Sequence, residues 1–162
     1  MATKETTQTK PKEIQVVVFR LGEEEFAAEI TSVLEISRML PITHLAQAPD
    51  FIEGVINLRG KVIAVMNLSR LFATQTSESL SQSGRIVIVE AGNETVGLQV
   101  DEVVEILRLP EEKIEPLPEL VQGEVKSRYL RGVGKLGERL ILLVDLAGVL
   151  TPDRLKVIEK AA

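Results

Sequence analysis

Residues that could carry chemistry are few in this chain. His44 is the single histidine and there is no cysteine, so a disulfide, a thiolate metal site and a thiol nucleophile are excluded. A lone imidazole with no carboxylate cluster near it in sequence reads as a loop residue rather than a base or a ligand. Glu23, Glu24 and Glu25 form an acidic run, but three successive hairpin residues cannot converge on one hard cation, so the run reads as a solvated turn. There is no GxxxxGK[ST] loop to cradle a phosphate and no GxSxG elbow, and the letters GxGxxG occur only at Gly132–Gly137, within a hairpin segment and not between a strand and a helix. Asn93-Glu94-Thr95 has the letters of a glycosylation acceptor, which mean nothing without a secretory signal. The expectation is a protein with no catalytic residue, no cofactor and no metal.

What remains is recognition chemistry, and Arg59 stands out for it. Asn57-Leu58-Arg59-Gly60 reads as the tip of a hairpin joining Gly54–Leu58 to Lys61–Met66, with Gly60 supplying the unusual dihedral. An arginine at a hairpin tip is by itself an ordinary polar turn residue. It is also a planar, five-donor anchor of the type that interfaces favour.

An internal repeat sharpens the choice. Val16–Leu40 aligns without a gap onto Ile86–Pro110 at an offset of 70, and Phe51–Phe72 aligns onto Tyr129–Leu150 at an offset of 78. Val33, Glu35 and Ile36 recur as Val103, Glu105 and Ile106, while Gly54, Val55 and Leu58 recur as Gly132, Val133 and Leu136. The tip does not recur: Lys135-Leu136-Gly137-Glu138 replaces Asn57-Leu58-Arg59-Gly60. Arg59 is therefore expected to serve binding, and Arg139, one residue past the matching turn, to serve neither binding nor folding. Two related units should meet at a pseudo-symmetric seam, where Val33-x-Glu35-Ile36 and its copy would present the same short strand twice and line an apolar groove.

The elements that must position these residues are short strands. Ile14–Leu21 and Phe26–Ile30 flank a turn at Gly22, and Val33–Arg38 alternates, with Val33 and Glu35 expected on one face and Leu34 and Ile36 on the other. Asn67 is placed to cap a helical turn over Leu68–Phe72, as is Asp145 in the second copy. Thr151-Pro152-Asp153 predicts a closing helix over Arg154–Lys160, with Leu155 and Ile158 facing the core. The expected organisation is a flexible tail (1–13), a first β-barrel repeat (14–73), a linker (74–84), a second β-barrel repeat (85–150) and a C-terminal helix (151–162). Whether the first strand stays with its own repeat or crosses to the other is open.

Composition sets the class. At 162 residues, a unit of about 65–70 residues is near the lower limit for an independent core, so each repeat should lean on the other. Hydrophobic residues make up 44% but aromatics only 3%, which predicts a core of Val, Ile and Leu. A net charge of −5 argues against nucleic acid, which needs a basic field to displace counterions. The longest apolar block, Leu140–Leu150, is broken by Asp145 and Gly148 and is too short to span a bilayer. With no signal peptide, a cytoplasmic location is expected, any membrane association coming through a partner.

The segments FRLGEEEFAAEITSVLEI, FIEGVINLRGKVIAVMNL, VGLQVDEVVEIL and LILLVDLAGVL resemble the bacterial CheW family of chemotaxis coupling proteins, from about Glu13 to the end. The specific part is GVINLRG followed by a strand and Asn67-Leu68. The resemblance implies a mainly β fold of two intertwined, five-stranded SH3-like barrels. It implies a non-enzymatic adaptor that joins transmembrane chemoreceptors to the regulatory domain of the histidine kinase CheA, at the membrane-proximal receptor array. Carried over residue by residue, the receptor's cytoplasmic tip would lie against Val33, Glu35, Arg59, Val103 and Ile106. The kinase would meet Ile42, Gly54, Val55, Asn57 and Leu58. An isolated relative of the kinase's own regulatory domain is the nearest alternative, and a small-ligand-binding barrel a more distant one.

Overall fold

The structure, a computed structural model, describes residues 12–72, 83–118, 128–154 and 156. Most of the expected tail and linker, and the closing helix beyond Arg154 apart from Lys156, lie outside these residues, as do Leu155 and Ile158. The first repeat supplies β1 (Glu13–Leu21), β2 (Glu24–Glu29), β3 (Val33–Arg38), β4 (Ile52–Leu58), β5 (Lys61–Asn67) and helix α1 (Leu68–Phe72). The second supplies β6 (Arg85–Ala91), β7 (Glu94–Val100), β8 (Glu102–Pro110), β9 (Ile114–Glu115), β10 (Leu130–Leu136), β11 (Arg139–Val144) and helix α2 (Leu146–Val149). Both expected caps are made. Asn67 Oδ1 accepts from the Arg70 amide at 3.2 Å, and Asp145 Oδ1 accepts from the Ala147 amide at 3.1 Å. Thr151 Oγ1 accepts from the Arg154 amide at 3.3 Å, opening the closing helix.

The strands form two packed sheets of a mainly β, SH3-like fold, ordered β8-β1-β2-β11-β10-β9 and β3-β6-β7-β5-β4. Each repeat gives its first hairpin to the other's sheet. Hairpin β1–β2 lies between β8 and β11, with β2 parallel to β11, and hairpin β6–β7 lies between β3 and β5, with β7 parallel to β5. The sixth strand, β9, comes from the segment by which the second copy is longer. It pairs with β10 where the first copy has only the single bridge Thr43–Val55. At both places a glycine admits the approaching chain. A Cβ on Gly132 would lie 2.8 Å from the Glu115 carbonyl oxygen, and one on Gly54 would come closer still to that of Thr43.

The exchange explains two runs that do not alternate, Val16-Val17-Val18-Phe19 and Ile86-Val87-Ile88-Val89. Strands β1 and β6 are central in their sheets and buried on both faces, so both faces must be apolar. Val16 and Val18 enter the core of the six-stranded sheet with Ala27, Leu109, Ile141 and Leu143. Ile86 and Ile88 enter that of the five-stranded sheet with Ile56, Ile63 and Val65. Their other faces, Phe19 and Leu21 from β1 and Val87 and Val89 from β6, meet in the seam between the sheets with Phe26, Met66, Leu68, Leu98 and Phe72. Each fully buried side chain of this size contributes about 1.5–3 kcal/mol. The seam therefore welds two sheets that would each be marginal alone.

Candidate partner-binding groove

The bulges decide what faces the seam. In β3, Val33 lies opposite Val89 and Ile36 opposite Val87, both members of the seam core, while Glu35 lies opposite Ile88, which points into the five-stranded sheet's own core. Residues directly opposite in an antiparallel pair share a face. The bulge between Val33 and Glu35 therefore turns Ile36 to the seam beside Val33 and turns Glu35 away. The simple alternation expected from sequence, with Val33 and Glu35 together, is corrected: an extra residue shifts the parity of the strand. Strand β8 repeats the device. Val103 lies opposite Phe19, Glu105 opposite Val18 and Ile106 opposite Val17, so Val103 and Ile106 face the seam and Glu105 does not.

Both strands thus place a valine on the seam core and an isoleucine at its rim. Val33 and Val103 are half-buried and pack against the same central cluster, whereas Ile106 is 49% exposed. The seam rows of β5 (Ala64, Met66) and β11 (Leu142, Val144) likewise run out into exposed apolar residues at equivalent positions, Val62 at 54% and Leu140 at 58%. Ile36 belongs to the strand motif expected to line the groove, whereas Val62 and Leu140 carried no sequence sign of exposure, because valine and leucine in strands read as core.

The two glutamates are each clamped by an arginine. Arg59 donates Nη1 and Nη2 to the two carboxylate oxygens of Glu35, so the structure brings these two site candidates into contact. That hydrogen bonding holds the Glu35 carboxyl below its ordinary range and pushes the Arg59 guanidinium up. Arg59 nevertheless keeps 72% of its side chain exposed. Its backbone has φ 51, the only positive value outside glycine among the described residues, and Gly60 follows with φ 87. Two successive left-handed residues make the tight hairpin turn that the twist of the strands prefers, and Asn57 Oδ1 pins it by accepting from the Gly60 amide at 2.7 Å.

In the second copy the clamp comes from Arg139. Its Nη1 reaches Glu105 Oε2 at 2.7 Å, while Nε and Nη2 donate to the two oxygens of Glu25 at 2.6 and 3.1 Å. The Glu25 carboxyl is held below its ordinary range by this bonding. One reading is corrected here: Glu25 is not part of a solvated turn, since its side chain is only 18% exposed. Arg139, expected to serve neither binding nor folding, is paired with two carboxylates. The same region borders an open cleft of about 850 Å³ lined by Arg20, Gly22, Glu25, Arg139, Leu140 and Leu142.

Of the residues matched to the kinase surface, Ile42, Gly54, Val55 and Leu58 gather along edge strand β4. Thr43 and Val55 exchange two backbone hydrogen bonds of 2.9 Å, Ile42 and Leu58 pack partly into the five-stranded core, and Asn57 is exposed at the tip. His44 lies beside this edge and donates from Nδ1 to the Glu53 carbonyl at 2.9 Å. Among the described residues no group of three His, Asp or Glu side chains could hold a metal ion, and no helix is long and apolar enough to cross a membrane.

The family model described as CheW-like domain matches residues 15–153. The chain is 35% identical over 148 residues to chemotaxis protein CheW of Klebsiella aerogenes, covering 91% of this chain and 88% of that one. It is 26% identical to protein FrzA of Myxococcus xanthus, covering 94% of each. Among solved structures, the scaffolding protein TtCheW from Thermoanaerobacter tengcongensis superposes with a TM-score of 0.75 at 34% identity, covering 85% of this chain and 88% of that one.

Proposed function

The chain belongs to the CheW-like family, and on that premise we propose that it is a non-enzymatic chemotaxis adaptor. It holds the cytoplasmic tip of a chemoreceptor on one surface and the regulatory domain of the histidine kinase CheA on another. The receptor tip lies along the apolar rim of the seam, against Val33, Glu35, Arg59, Val103 and Ile106. The kinase domain takes the β4 edge at Ile42, Gly54, Val55, Asn57 and Leu58. The adaptor works in the cytoplasm and reaches the receptor array through these partners.

The observation that carries the reading is the backbone of Arg59. A side chain with a Cβ is disfavoured in the left-handed region, and the second repeat closes the equivalent turn with Gly137 at φ 62. An arginine kept at such a position, exposed and held by Glu35, is explained by a partner and not by the turn. Strain of this kind points from geometry to function.

Gel filtration of the purified chain with a receptor cytoplasmic fragment, with the CheA regulatory domain, and with both tests the proposal. Binary complexes with each and a ternary complex with both are expected. Mutual exclusion of the two partners, or binding to neither, overturns it.

A further inference from the structure

We propose that Arg139 is a positioning residue of the groove, fixing the wall that carries Val103 and Ile106. The inference rests on the receptor-groove reading given above. Strand β8 is at the edge of its sheet, paired to β1 alone, and its bulge falls between Val103 and Glu105, where the wall would otherwise be loosest. Strand β11 is separated from β8 by β1 and β2. Arg139, the first residue of β11, crosses that gap with Nη1 to Glu105, while Nε and Nη2 lock onto Glu25 of β2. One guanidinium therefore ties the interior strands β11 and β2 to the edge strand β8 and binds the first repeat's hairpin to the second repeat's wall.

The chemistry of the two clamps divides their labour. Arg59 meets one carboxylate and stays largely exposed, so it can be shared with a partner. Arg139 commits three nitrogens to two carboxylates and is 33% exposed, so it acts through Ile106 and Val103 rather than by touching the partner. Lysine could not replace it, because a point charge cannot grip Glu25 at both oxygens and reach Glu105 as well.

The test uses the full chain and a purified receptor cytoplasmic fragment, with Kd from calorimetry. Arg139→Ala is expected to raise Kd about three- to tenfold, as for a half-exposed ion pair acting through its neighbours. Arg139→Lys should recover little of the loss. In an Ile106→Ala background the same Arg139→Ala change should alter Kd less than about twofold, and binding of the kinase domain should not move. Equal losses in both backgrounds, equal loss of kinase binding or an unchanged Kd would overturn the proposal. Glu105→Ala, which removes only the β8 arm and leaves the Glu25 pair, should reproduce the effect if Arg139→Ala folds poorly. Amide hydrogen exchange of residues 103–107 in the free chain decides the matter if Arg59→Ala and Ile106→Ala leave receptor binding unchanged. That result sinks the groove reading, whereas unaltered exchange in Arg139→Ala and Glu105→Ala sinks the positioning role.

Discussion

Arg154 donates Nη2 to the Tyr129 hydroxyl at 2.9 Å while its guanidinium carbon lies 5.0 Å from the centre of the same ring. It also lies 5.8 Å from the ring of Phe51, the residue that Tyr129 matches in the repeat. Tyr129 in turn packs on Phe72, Phe72 on Phe26 and Phe26 on Phe19, at 5.5, 5.1 and 6.2 Å between ring centres. Phe19, Phe26, Phe72 and Tyr129 thus form a single ladder through the seam, and Arg154, touching both repeats, joins Phe51 to its end.

Arg154→Ala is accordingly expected to lower stability by about 1–3 kcal/mol, from a lost charge-assisted hydrogen bond and lost cation–π contact. Tyr129→Phe keeps the ring and loses only the hydroxyl, so its cost should be the smaller of the two. Urea melts give both values. A Tyr129→Phe variant as unstable as Arg154→Ala would mean that the ring contacts contribute nothing.

Arg59→Gly separates the backbone of the turn from its side chain. Glycine suits φ 51 as it does at Gly137, so this variant should melt at a urea midpoint no lower than that of Arg59→Ala. Both should bind a receptor fragment roughly five- to 150-fold more weakly than the parent. Strong destabilisation with normal binding by the folded fraction would make Arg59 structural.

A charge at the groove must be placed where the fold tolerates it. Val103 packs on the seam core, so Val103→Glu is expected to cost several kcal/mol of stability through a buried, unpaired carboxylate. Ile106 is on the same face but half exposed. Ile106→Glu should therefore leave the melt within about 1 kcal/mol of the parent and still abolish receptor binding while sparing the kinase domain. Loss of both contacts in a folded Ile106→Glu protein would contradict separate surfaces.

The sequence made the repeats, the Asn57–Gly60 turn and the Asn67 and Asp145 caps legible, because each depends on local residue types. It left the hairpin exchange open for a physical reason. Val16–Phe19 and Ile86–Val89 are apolar on both faces, and such a strand fits the centre of either sheet. The bulges were hidden as well, since an inserted residue in a strand leaves no mark on composition, and they alone decide that Ile36 and not Glu35 shares the seam with Val33. The pairing of Arg139 was hidden because the gapless alignment sets it against Lys61, two residues beyond Arg59. Its partner Glu25 was masked by two acidic neighbours.

The ion pair of Arg139 with Glu25 gives the fold an acid sensitivity of definite sign. Hydrogen bonding from Arg139 lowers the Glu25 value below the ordinary 4.5, so between the two values the unfolded chain binds the proton and the folded one does not. Stability from this pair is therefore fully present above about pH 4.5 and is lost as pH falls through the lowered value. Glu25→Gln removes it at every pH. The parent should exceed Glu25→Gln in urea midpoint at pH 7, and the gap should close as pH is lowered below 4.5. Other carboxylates titrate in both proteins and largely cancel in the difference. A gap that stays constant from pH 7 down to acid unfolding would show that Glu25 contributes through packing and not through its charge.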